Sequence, residues 1–136
     1  LDALAAAVSR ALAVKVALVR EDPREKGPRA KLNLGHTVGH AVEVATDFAV
    51  KHGEAVAIGT VEAARLAVRM GLASADWAAK VAQAFAGAGL PVELPAGVTF
   101  DSLADIMRRD KKKKDGRIRF ALPRAPGDVA VVPVEL

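Results

Sequence analysis

Between Glu54 and Met70 the chain is nearly apolar all round the helix it would form, with Val56, Ile58, Val61, Leu66 and Val68 falling on several faces. A helix of that kind has almost no side to turn to water, so other elements must cover it. The segment therefore reads as the buried central helix of the fold, closed by Gly71.

The flanking sequence supplies the covering elements. From Asp2 to about Arg20, Leu4, Val8, Leu12, Val16 and Val19 recur at three- and four-residue steps, one stripe of a helix that Pro23 and Gly27-Pro28 break. A second helix is predicted over roughly Leu32 to Ala49. It contains Gly35 and Gly39, each costing about 1 kcal/mol relative to Ala inside a helix, which points to close backbone approach there. Ser74 is placed to cap a helix running to about Ala88, ended by Gly89-Leu90-Pro91, and Thr99 or Asp101 to cap a short one to Arg109. Arg117 to Leu122 and Asp128 to Val134 read as two short strands joined through Pro123 to Gly127. The expected fold is mainly α, a multi-helix bundle with a small C-terminal β-hairpin. The 136 residues, half of them apolar, suffice for one domain and not two. No internal repeat and no G-x-G-x-x-G dinucleotide fingerprint is present.

Composition narrows the chemistry. With no cysteine, any metal must be held by histidine and carboxylate. The net charge of +4 comes largely from one run, Lys111 to Lys114, and aromatic residues make up only 4% of the chain. A surface for stacking single-stranded nucleic acid is therefore not expected, whereas a phosphorylated small molecule suits scattered cations. No uncharged apolar run of about 18 residues and no hydrophobic leader is seen, so a cytoplasmic protein without membrane contact is expected. The chain opens on Leu1 already in helical pattern, as a piece of a longer protein would.

All three histidines, His36, His40 and His52, fall in one short segment. On a helix His36 and His40 are one turn apart on one face, and Glu43 follows at the next turn. Two imidazoles at that spacing can converge on zinc. His52 opens the next helix after a short Phe48 to Lys51 connection, so an antiparallel helix pair can bring it into the same cleft. At this level the ligand set stays open, with Glu43 and Glu54 available as further ligands. Both glutamates read more simply as structural, since a glutamate near a helix start complements the dipole. Arg29, Asn33 and His36 recur at steps of four and three. If the helix begins as early as Pro28, they form with His40 a donor-rich stripe suited to an acidic, sugar-like ligand. Lys15, inside the apolar run Val14 to Val19, is either a snorkelling side chain on a half-buried helix or a ligand contact. The lysine run is either a solvated helix end or the source of one phosphate contact.

The string Arg29-Ala-Lys-Leu-Asn33-Leu-Gly-His36-Thr-Val-Gly-His40-Ala-Val-Glu43, followed by His52-Gly-Glu-Ala-Val-Ala-Ile-Gly59, closely resembles the signature of 3-dehydroquinate synthases. Lys15 in Val14-Lys-Val-Ala-Leu-Val, the stretch through Glu25, Gly89-Leu-Pro91, and Asp110-Lys111-Lys112 with Gly116 and Arg119-Phe120 extend the resemblance over almost the whole chain. It implies a C-terminal helical metal- and substrate-binding domain, spanning residues 1–136, of an NAD-dependent lyase of the shikimate pathway. That enzyme converts 3-deoxy-D-arabino-heptulosonate 7-phosphate to 3-dehydroquinate and phosphate with Zn2+ or Co2+. The reaction oxidises a secondary alcohol, eliminates phosphate, returns the hydride and closes the ring by an aldol step. By the same resemblance the metal ligands are His36 and His52, not the i, i+4 pair, and a third, glutamate ligand belongs to an earlier helix that this chain lacks. Arg29 and Lys15 then bind the substrate's carboxylate end, Asn33, His40 and one of Lys111 and Lys112 its phosphate side, and Glu25 joins the lining. The partners implied are the absent N-terminal NAD-binding domain and a second copy of the enzyme in a homodimer; the isolated fragment is expected to be inactive. Competing readings are another sugar phosphate cyclase, an iron-dependent alcohol or glycerol dehydrogenase, which lacks the arginine-asparagine stripe and the Asp-Lys-Lys motif, and a non-catalytic metal-binding helical module.

Overall fold

A computed structural model describes residues 2–111 and 118–135, without the side chains of residues 110 and 111. The chain divides into two compact units, residues 1–32 and 33–136. The expectations for Lys112 and for the Lys111 side chain lie outside what is described.

The first unit contains helix α1, Asp2–Glu21, a loop, and most of a 3-10 helix, Pro28–Asn33. The predicted stripe forms its helix, but no residue of α1 is buried, and Lys15 is exposed. The loop is organised by Asp22, which is only 8% exposed. Its carboxylate accepts the backbone N–H groups of Lys26, Gly27 and Arg29 at 2.9, 2.7 and 3.2 Å. Those donors would otherwise be orphaned at a chain reversal, and Glu25 at φ 53 makes the turn possible.

In the second unit, helix α3, His52–Arg69, is the central element foreseen from its apolar circumference. Helices α2, His36–Ala45, and α4, Ala75–Gly87, pack on it together with strand β1, Ile118–Ala125. Helix α5, Phe100–Lys111, packs on α2 and β1. Ile58, Val61, Val42, Leu103 and Leu122 are the largest fully buried side chains, so α2, α3, α5 and β1 all feed one core. Each such side chain contributes about 1.5–3 kcal/mol by leaving water. Inside α3, Glu62 is 3% exposed and is paired with Arg65 at 2.6 Å; Arg65 also grips Glu93 at 2.5 and 3.1 Å, tying the segment after α4 to the central helix.

The predicted caps hold. Ser74 Oγ accepts the N–H of Trp77 at 3.1 Å, and Thr99, rather than Asp101, caps α5 by accepting the N–H of Ser102 at 3.2 Å. The helix predicted over Leu32 to Ala49 is corrected at both ends. Its α-helical part begins only at His36, because Gly35 at φ 78 breaks the backbone there, and it ends at Ala45. Beyond Ala45, Asp47 and Phe48 adopt left-handed φ values of 48 and 60, and the Phe48 N–H returns to the Glu43 carbonyl at 2.7 Å. This terminates the helix and reverses the chain toward α3. The hairpin is present, but β1 runs on through Pro123 and Arg124 to Ala125 and pairs antiparallel with β2, Asp128–Val134. A register shift between Pro123 and Ala125 accommodates the proline, and the turn shortens to Pro126-Gly127.

Candidate metal and substrate site

The site is built where α2 and α3 touch backbone to backbone. A methyl group on Gly59 of α3 would collide with the Gly35 carbonyl and stand 2.7 Å from the Gly39 N. One on Gly35 would collide with Thr60 Oγ1 and lie 2.6 Å from the Val56 carbonyl. Only glycine permits this approach, and it sets the start of α2 against the middle of α3. The cost of glycine read from the sequence is therefore a packing requirement.

That contact gathers the three histidines. Ring centroids lie 5.6 Å apart for His36 and His40, 5.4 Å for His36 and His52, and 5.9 Å for His40 and His52. The first pair meets edge to face, and the His40 and His52 rings are stacked. His36 and His40 share a face of α2 one turn apart, as their spacing required, and His52 arrives as the first residue of α3. His36 is half-buried, while His40 and His52 are exposed and so open to a ligand.

Two of these rings are fixed in one tautomer by their neighbours. His36 Nδ1 lies 3.1 Å from the Leu34 carbonyl, and His52 Nδ1 lies 3.0 Å from Glu43 Oε1. A carbonyl and a carboxylate only accept, so each Nδ1 donates to its partner and each Nε2 stays out of these bonds. Neutral imidazoles held through Nδ1–H are the form that binds divalent metals. The donor set therefore fits such an ion. Candidate ligand atoms of His40, Glu43 and His52 also lie within 4.8 Å of one another, so a grouping through Glu43 is within reach of the same cleft.

The two glutamates part company. Glu54 accepts the backbone N–H of Lys51 at 3.1 Å and caps α3, which is the structural role expected of it. Glu43 complements no helix start: it lies in the second half of α2, where a carboxylate gains nothing from the dipole, and it holds His52 instead. Sequence reasoning passed over that role, although Glu43 falls on the His40 face of α2 just before the chain reverses toward His52.

The proposed stripe of Arg29, Asn33 and His36 on one α-helix does not form. Arg29 and Asn33 belong to the 3-10 helix, where a four-residue step does not return to the same face, and His36 starts a separate helix beyond Gly35. Asn33 is exposed and, with Gly35, Thr37, Gly59 and Phe120, lines a narrow crevice of the second unit. Arg29 donates from Nη1 to the Pro23 carbonyl at 2.9 Å, and Glu25 is exposed on the same loop. Lys15, Glu25 and Arg29 belong to the first unit, and Asn33 and the histidines to the second.

A small helical unit that gathers three imidazoles on two glycine-packed helices defines a class of helical domain whose site is built from histidine. Within it the assignment is specific: residues 1–113 match the 3-dehydroquinate synthase C-terminal family, and the chain belongs to that family. Proteins named 3-dehydroquinate synthase from Acaryochloris marina and Xylella fastidiosa are 42% and 44% identical over 91% and 96% of this chain. The chain spans only 34% and 37% of their lengths. Among solved structures, 2-deoxy-scyllo-inosose synthase with carbaglucose-6-phosphate, NAD+ and Co2+ matches 90% of the chain at TM-score 0.78 and 27% identity. The 2-epi-5-epi-valiolone synthase of Streptomyces hygroscopicus, with NAD+ and Zn2+ bound, matches 94% at TM-score 0.81 and 27% identity. The chain spans 36% and 35% of those two proteins. The mainly helical fold with its terminal hairpin is thus that of this group of cyclising synthases. No helix among the described residues is long and apolar enough to cross a membrane.

Proposed function

We propose that this chain is the metal- and substrate-binding part of a 3-dehydroquinate synthase. That enzyme converts 3-deoxy-D-arabino-heptulosonate 7-phosphate to 3-dehydroquinate and phosphate in the shikimate pathway. The observation that carries the reading is the convergence of His36, His40 and His52 at 5.4 to 5.9 Å within a chain of this family. His36 and His52, whose Nδ1 protons are engaged, are the metal ligands through Nε2, and a glutamate from elsewhere in the full-length protein completes the set. When bound, Zn2+ or Co2+ supplies Lewis acidity at a substrate hydroxyl and NAD supplies reversible hydride acceptance.

The rest of the work is positioning and charge neutralisation. Exposed His40 and Asn33, with Lys111 or Lys112, hold the phosphate side of the substrate. Arg29 and Lys15 take its carboxylate, and Glu25 adds a polar contact. Clamping both ends restricts a flexible open-chain sugar acid to conformations that can cyclise. The NAD site belongs to an N-terminal domain of the same protein, the enzyme works as a homodimer, and its compartment is the cytoplasm.

A second reading, a cyclase acting on another sugar phosphate, draws support from the two solved neighbours, but their 27% identity falls well short of the 42% and 44% of the two synthases. Phosphate release by the full-length protein with NAD and Zn2+ separates the two. Turnover is expected with the heptulosonate phosphate and not with a hexose 6-phosphate; the reverse preference overturns the assignment. His36→Ala in the full-length protein is expected to abolish zinc binding and turnover, and near-normal activity with zinc retained overturns the ligand assignment.

A further inference from the structure

We infer that Glu43 is a positioning residue of the metal site, clamping the His52 ring through its Nδ1–H so that its Nε2 is presented as a ligand. The inference rests on the metal-site reading above and assigns a role to a residue outside the expected ligand and substrate contacts.

The pair is asymmetric. The Glu43 side chain is 13% exposed and the His52 side chain 57%. Packing therefore holds the carboxylate, and the carboxylate holds the ring, which on an open helix start would otherwise sample several rotamers. The bond also bridges two elements, from α2 to the first residue of α3 across the reversal at Asp47 and Phe48. It thus joins the orientation of a ligand to the glycine-set spacing of the two helices. His36 receives the equivalent service from the Leu34 carbonyl, so both imidazoles are fixed through Nδ1, one by a neutral acceptor and one by a charged one. A carboxylate behind an imidazole increases its basicity as well as fixing its direction.

The competing arrangement makes Glu43 itself a ligand beside His40 and His52, whose candidate atoms lie within 4.8 Å. The two arrangements respond differently to substitution. A glutamine keeps an oxygen that can accept from Nδ1–H, but it is a poor replacement for a coordinating carboxylate.

The test is Zn2+ affinity by competition with a chromophoric chelator, together with the visible spectrum of the Co2+ form. Both are measured on full-length protein for wild type, Glu43→Gln, Glu43→Ala, His52→Ala and His36→Ala, with circular dichroism to verify folding. Glu43→Ala is expected to weaken Zn2+ about 10- to 100-fold. Glu43→Gln should recover most of that loss and keep the Co2+ band shape and intensity of wild type, while His52→Ala abolishes tight binding. Wild-type affinity in Glu43→Ala overturns the inference. So does a Glu43→Gln protein as impaired as His52→Ala with an altered Co2+ spectrum, which would make Glu43 a ligand. If Glu43→Ala does not fold, the Glu43→Gln affinity and spectrum decide alone. Tight Zn2+ binding in both His36→Ala and His52→Ala would instead sink the underlying metal-site reading, a result distinct from failure of the Glu43 role.

Discussion

Asp22 shows how much local order one carboxylate can create. The N–H of Lys26 lowers its pKa most; burial works against that, and the N–H groups of Gly27 and Arg29 and the Arg29 charge lower it further. With its folded pKa below the ordinary aspartate value of about 3.9, its contribution to stability is fully present above that pH. It is lost as the pH falls through the lower, folded value. Asp22→Asn cannot titrate and accepts with one oxygen fewer. Thermal melts between about pH 6 and pH 2 should therefore show the variant less stable near pH 6 and converging on wild type in acid. A constant gap across the range would show that the carboxylate's charge is not what the loop uses. At the same scale the histidines divide by partner: Leu34 and Glu43 fix two of them, a distinction that sequence spacing alone could not make.

At the scale of elements, the decisive object is the α2–α3 pair. Its glycines were legible as an anomaly, because two of them inside a predicted helix carry a propensity cost that something must offset. The structure supplies the reason at Gly35 and adds Gly59, the α3 residue against which that contact is made. Gly59→Ala places a methyl group against the backbone of the Gly35 carbonyl, which cannot rotate away as a side chain could. Separating the helices should cost about 3 kcal/mol or more and weaken metal binding in parallel, since His52 moves with α3 and His36 with α2. Chemical denaturation and Zn2+ titration of the same variant check both, and unchanged zinc affinity in a destabilised protein would uncouple the site from the contact. Helix ends were less legible. The second helix was predicted too long because the apolar pattern runs across Gly35 and past Ala45, whereas left-handed backbone at Gly35, Asp47 and Phe48 decides where it stops.

At the scale of the molecule, residues 33–136 contain one core fed by α2, α3, α5 and β1, and the histidine cleft sits on that core's edge. The chain covers 34% and 37% of the two synthases named above, and under the proposed function a complete reaction needs an NAD site and a further metal ligand. Purified residues 1–136 alone are therefore expected to release no phosphate from the heptulosonate phosphate in the presence of NAD and Zn2+. Turnover above the background of a His36→Ala control would show that the chain needs nothing else.

The sequence by itself determined the apolar central helix, the cap at Ser74, the hairpin and the family signature, because each is written in local spacing that the backbone must obey, and it narrowed the α5 cap to Thr99 or Asp101. It also placed the three histidines on two adjacent helices. What only the structure decided is which groups stand behind those rings and where the second helix starts and stops. The first follows from contacts between separate elements, Gly59 against Gly35 and Glu43 against His52, whose distances no periodicity encodes; the second follows from left-handed backbone at Gly35, Asp47 and Phe48. The central helix could be read because burial on all sides leaves a mark at every position; the Glu43–His52 bond could not, because a single carboxylate on a helix face looks the same whether it meets water or an imidazole.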